Sequence, residues 1–210
     1  MKKNLTKTQL YQILTGVFVA CLLISNVLAA KTFAVGNIVL PSAVIVFPFV
    51  YIVNDLLAEI YGFKKARNTI LIGFFLNAFA VAVYSVAIAL PAPVFAVDTA
   101  AAFAVVLGST WRILLGSFTA YLVGSLLNAF VMVKLKEEAE KYLFFRCILS
   151  TALGEGVDAI IFISIAFAGT MPMQDLLTMI VAQALFKTLF EFLIYPVTRV
   201  VIKKTETLEE

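Results

Sequence analysis

Long apolar runs alternate with short polar breaks along this chain. Six runs reach the length of about 20 residues that a helix rising 1.5 Å per residue needs to cross bilayer hydrocarbon. They are Leu10–Ala30, Ile38–Ile60, Thr69–Leu90, Trp111–Val133, Leu143–Ala168 and Leu176–Ile202. None shows the strict alternation of a barrel strand, and a segment in lipid must satisfy its backbone polar groups internally, so each is predicted to be an α-helix. The expected fold is an all-α polytopic membrane protein of six transmembrane helices, a single domain over residues 1–210.

The polar breaks set the orientation. With a cytoplasmic N-terminus, all of the 16 basic residues except Lys31, Arg112 and Lys187 fall at inner ends or in inner loops. The positive-inside rule describes this bias, so both termini are expected in the cytoplasm. Glu137, Glu138 and Glu140 share an inner loop with basic residues and read as a solvated face. The start Met1-Lys2-Lys3 and the small residues Val27-Leu28-Ala29 resemble a secretory signal. The first apolar run is longer than a signal core of about 7–15 residues, so it reads as a span. The connection Pro91–Thr110 is unusually apolar. A loop packed over the bundle is expected there, with an interfacial or re-entrant segment as the other reading.

Composition agrees with the pattern. Hydrophobic residues make up 62% and charged residues 14%, against about 45–50% and 25% in soluble domains, and the mean hydropathy is +1.02. The net charge of +3 follows from topology and implies no nucleic-acid partner. Histidine is absent, which leaves proton chemistry to carboxylates, Lys or Tyr. Cys21 and Cys147 form no zinc-type pair and read as buried thiols. There is no phosphate-binding Gly-Lys-Ser/Thr loop, no His-Glu-x-x-His and no Gly-x-Ser-x-Gly elbow. No enzyme activity, metal or cofactor is expected, and the chain cannot hydrolyse ATP itself.

Polar side chains inside the runs carry the functional signal. A charge at mid-bilayer costs about 2.5–3.5 kcal/mol on insertion scales, so it faces a cavity or a partner. Asn54, Asp55 and Glu59 lie in the inner half of the second run, with Asp55 and Glu59 on one helical face. Glu155 and Asp158 lie near the middle of the fifth, and Gln183, Lys187 and Glu191 form a stripe at intervals of four in the sixth. Asn26 and Ser25 stand near the outer end of the first. Helical rise places Glu155 and Lys187 at similar depth, so Glu155 or Asp158 is expected to pair with Lys187; Glu191 is the alternative partner within its own helix. Polar contacts between helices average only about 0.6 kcal/mol in bilayers, which favours a hydrated cavity over mere helix adhesion. Pro48 and Pro196 each remove a backbone donor inside a predicted helix. Gly154 and Gly156 allow close approach beside Glu155. Gly73-Phe74-Phe75-Leu76-Asn77-Ala78-Phe79 is similar to Gly124-Ser125-Leu126-Leu127-Asn128-Ala129-Phe130, a faint sign of duplication.

These positions fall into a pattern. Ser25-Asn26, Phe47-Pro48-Phe49, the block Asn54-Asp55-Leu56-Leu57-Ala58-Glu59-Ile60-Tyr61-Gly62 and Ala66-Arg67 resemble the queuosine-precursor transporter family, also called the vitamin-uptake-like VUT family. Arg112, the stretch from Asp158 through Ile165-Ala166-Phe167, Phe186-Lys187 and Tyr195-Pro196 extend the resemblance to the last run. It implies a multi-pass inner-membrane importer of a 7-deazaguanine (7-cyano-7-deazaguanine, 7-aminomethyl-7-deazaguanine or queuine) for queuosine salvage into tRNA. Asn26, Asp55, Glu155, Asp158, Gln183 and Lys187 are then the expected substrate contacts, because one carboxylate can accept both the N1–H and the exocyclic amine of a guanine-like edge. Members differ in carboxylate number around Asp158, so Glu155 bears on which precursor is preferred. Asp55, Glu59 and Glu191 are expected to serve proton coupling or gating in a secondary transporter. The alternative is a substrate-binding subunit of an energy-coupling-factor transporter, docked through small residues such as Ala20, Ala29 and Ala30. The expected partners are the deazapurine and the lipid bilayer, with a homo-oligomer left open.

Overall fold

The computed structural model of the protein describes residues 6–35, 38–108, 111–139, 142–169 and 172–205. Lys2, Lys3, Glu140 and Lys141, invoked above for orientation, lie outside them, as do the side chains of Arg112, Glu138 and Lys204. The elements are α1 (Lys7–Leu28), a hairpin of β1 (Thr32–Val35) and β2 (Ile38–Pro41), α2 (Phe47–Ala89), α3 (Val97–Leu107), α4 (Trp111–Ala139), α5 (Leu143–Phe167) and α6 (Met173–Thr205). Five of these helices are long and apolar enough to cross a membrane, and the protein is an all-α polytopic membrane protein.

Thr6 starts α1 with a reciprocal cap: Gln9 N donates to its hydroxyl at 3.2 Å, and Thr6 N donates to the Gln9 side chain at 3.1 Å. α2 has 43 residues, about 64 Å if straight and roughly twice the hydrocarbon thickness. It is not straight. Gly62 takes φ 78° and ψ 170°, a region open essentially to glycine alone, and the chain reverses there. Tyr61 Oη donates to Lys7 O at 2.7 Å at the start of α1, whereas Phe47 shares a pocket with Leu22 and Asn26 at the far end of α1. The first arm, residues 47–61, is therefore antiparallel to α1. The second arm, residues 63–89, runs parallel to α1, with Thr69 against Thr15 at 3.1 Å and Asn77 against Asn26.

The remaining directions follow in the same way. α4 opposes the second arm, since Phe118 stacks on Phe74 and Tyr121 Oη reaches Ile70 O at 3.4 Å. It runs with the first arm, where Asn128 meets Asn54 and Lys136 meets Glu59. α5 opposes the first arm, with Arg146 at Glu59 and Gly154 at Tyr51. α6 descends beside α5 so that Arg199 and Ile202 lie near Glu59 and Arg146. The traverses alternate in direction, and Lys7 and Ile202 fall at the same end of the bundle.

Two expectations are corrected. The predicted second helix Ile38–Ile60 begins only at Phe47; Ile38–Pro41 pairs as a strand with Thr32–Val35, and Ser42–Ile45 forms a 3-10 turn. Pro41 cannot donate within a helix, and Pro48 occupies the first turn, where no partner for its N–H is required, so Pro48 starts a helix and breaks none. Leu40, Ser42 and Val44 are buried, which keeps this non-helical backbone covered by protein. Pro196 does lie inside α6, as expected. The stretch after Pro91 is also not a loop packed over the bundle. A 3-10 turn at Val94–Ala96 leads into α3, and neither has a buried residue. Its alanines favour helix.

Candidate functional site

Polar side chains are stacked in three layers between the end of the first arm level with Asn26 and the end near Tyr61. The layer level with Asn26 is a narrow pocket with about 50 Å³ of free space, less than the roughly 300–1,000 Å³ usual for an open small-molecule site. Asn26, Asn77, Tyr121, Asp158, Gln183 and Lys187 supply its polar groups, and Phe47 and Phe162 its flat apolar walls. Lys187, only 1% exposed, reaches across from α6 to hold Asp158 at 3.0 Å and also pairs with Glu155. Its ammonium lies 4.2 Å from the Phe47 ring centroid, within cation–π range. The expected pairing of Lys187 across helices is observed; Glu191 plays no part in it among the described residues.

This convergence depends on how closely α4 and α5 approach. A Cβ on Gly154 would stand 2.8 Å from the Asn128 Cβ and 2.9 Å from Gly124 O, and one on Gly124 would meet Gly154 O at 2.8 Å. Only glycine permits that spacing. Gly156, read above as a second close-approach position, has nothing within 4 Å of its would-be Cβ, and that reading is corrected. The similarity between residues 73–79 and 124–130 is a shared packing device. In each copy a tyrosine hydroxyl lies against the glycine (Tyr121 on Gly73, Tyr51 on Gly124), and the asparagine four residues on pairs with another asparagine, Asn77 with Asn26 and Asn128 with Asn54.

Asp55, expected among the substrate contacts, lies in the second layer and is not among the residues that line the pocket. The geometry of a helix explains this: Asp55 is a turn beyond Tyr51, whose ring centroid lies 5.7 Å from the Lys187 ammonium. Ser150 and Thr151 stand 3.4 Å from its two carboxylate oxygens, and Glu191 and Cys147 approach from α6 and α5. Glu155 touches the pocket only through Lys187.

The third layer is an ionic lock. Glu59 accepts from both guanidinium nitrogens of Arg146, at 2.5 and 3.1 Å, and from Lys136 at 3.2 Å. Lys136 also donates to Glu59 O at 2.8 Å. Arg146, counted above among loop charges, is 1% exposed and joins α5 to the first arm of α2. Below it, Tyr142, Tyr195, Arg199 and Lys203 line a cavity at the end shared by both chain ends. Of the residues missed from sequence, Asn77 and Asn128 were flagged by the repeated segment. Arg146 gave no such signal, because a basic residue at a span end is the ordinary topological case.

No curated protein and no solved structure matches the chain. A family model described as "putative vitamin uptake transporter" matches residues 41–201, from the end of β2 to the last turns of α6, and covers the residues of the three polar layers other than those α1 contributes. The chain therefore belongs to this family of membrane transporters.

Proposed function

We propose that the protein imports a 7-deazaguanine across the inner membrane for queuosine salvage, as a gradient-driven secondary transporter with both termini in the cytoplasm. The supporting observation is the composition of the outer pocket. Asp158 offers a carboxylate to the N1–H and amine edge, Asn26 and Gln183 offer amides to O6 or the 7-substituent, and Phe47 and Phe162 flank a flat ring. Gln183 Oε1 is buried without a hydrogen-bond partner among the described residues, which leaves it available to a ligand donor. Lys187 balances the charge of Asp158, and Glu155 holds Lys187 in place.

The layers suit alternating access. The pocket lies toward the end away from Lys7 and Ile202, and the Glu59–Arg146–Lys136 ion pairs lie toward the opposite end. Asp55 and Glu191 lie between pocket and lock, where a change in their charge balance acts on both. The test is uptake of the three deazaguanines, with guanine as control, by the purified chain alone in proteoliposomes. Accumulation that an ionophore abolishes supports the reading. Binding without accumulation would instead indicate a subunit that borrows a separate motor.

A further inference from the structure

Asp55, Cys147 and Glu191 come from the first arm of α2, from α5 and from α6. They offer one ligand atom each, all within 4.8 Å of one another and all buried. Glu191 supplies an independent signal: it is 1% exposed, and both of its carboxylate oxygens lack a hydrogen-bond partner among the described residues. Neither Asp55 nor Glu191 forms a salt bridge among those residues. Lys187, one turn from Glu191, is held by Glu155 and Asp158, and Arg146, beside Cys147, is held by Glu59. Two facing carboxylates this deep in protein either hold a proton between them or are balanced by a bound cation.

The oxygen spacing suggests which charge. Ser150 Oγ and Thr151 Oγ1 stand 3.4 Å from the two Asp55 oxygens, long for hydroxyl–carboxylate hydrogen bonds of about 2.5–3.0 Å. Adjacent oxygens of an octahedral shell lie about 3.4 Å apart when each is about 2.4 Å from the ion, whereas Mg²⁺ at about 2.0–2.1 Å would draw them to about 2.9 Å.

We propose that Asp55, Glu191, Ser150 and Thr151 bind one hard cation of sodium or calcium size, with Cys147 at the edge of its shell. Its role as the coupling ion rests on the transport reading above; its binding does not. Oxygen donors suit both ions, and the two carboxylates hold either.

The test is thermal unfolding of the purified full-length protein without precursor, in NaCl, CaCl₂, MgCl₂ or choline chloride at equal ionic strength. Sodium or calcium is expected to give a saturable rise in midpoint that magnesium and choline do not, and comparison of those two arms identifies the ion. Asp55→Asn and Glu191→Gln should abolish the rise. Thr151→Val should weaken the apparent affinity about tenfold or more, and Glu137→Gln, on the exposed end of α4, should keep it. If the acid variants do not fold, Thr151→Val and Ser150→Ala decide. No response beyond choline, a response retained in these variants, or stabilisation that follows pH alone would each overturn the site. Binding of 7-cyano-7-deazaguanine is measured alongside. Precursor binding without an ion response removes only this site, and an ion response without precursor binding removes only the deazaguanine reading.

Discussion

At the scale of single residues, buried polar groups divide into those that hold helices together and those that face a pocket. Asn128 belongs to the first group, since its amide meets Asn54 between α2 and α4. Replacing it with alanine should lower stability by about 0.6 kcal/mol, the average for such contacts in bilayers, and leave precursor affinity close to wild type in a binding titration. Gln183 belongs to the second. Gln183→Ala should weaken precursor binding by about 1–3 kcal/mol, the cost of leaving a ligand group unmatched, with little change in unfolding temperature. Asp158→Asn is expected to abolish precursor uptake in cells that cannot make the precursor; full uptake by that variant would remove Asp158 from the site.

At the scale of elements, two contacts set the shape of the site. Gly154 lets α5 lie directly on α4, so Gly154→Val should destabilise the fold by about 1–3 kcal/mol through overpacking, as read from thermal denaturation in detergent. Gly62 turns one long helix into two antiparallel arms. Gly62→Ala should cost about 1–3 kcal/mol because the backbone there suits glycine alone. The reversal was legible only indirectly. The sequence showed two apolar runs with Phe63 to Arg67 between them, but nothing in the pattern told a loop from a helix that turns on one glycine. The strand pair at Thr32–Pro41 was legible in part, because Gly36-Asn37 between two short β-prone runs is a hairpin signal; the apolar character of Ile38–Pro41 instead joined it to the helix that follows, since a short apolar run does not separate strand from helix by period.

At the scale of the whole molecule, the transport cycle proposed above requires that the Glu59–Arg146–Lys136 lock and the pocket level with Asn26 are not open together. Glu59→Gln removes the charge that holds Arg146 and Lys136. It should increase labelling of a cysteine placed at Tyr195 by a membrane-impermeant thiol reagent applied from the cytoplasmic side, in a background lacking Cys21 and Cys147. Unchanged labelling would show that the lock is structural only.

The linear sequence by itself determined that the chain lives in a membrane, how many apolar runs it has, and that Lys187 needed a carboxylate partner, with Glu155, Asp158 and Glu191 all in reach, because lipid leaves a buried charge few alternatives. Only the tertiary structure decided which acids share a layer. Asp55 and Glu59 lie on one helical face, yet one meets Glu191 and the other Arg146. The partner is chosen by the depth at which α5 and α6 pass, and that depth is fixed by glycine contacts and helix reversals that a one-dimensional pattern does not contain.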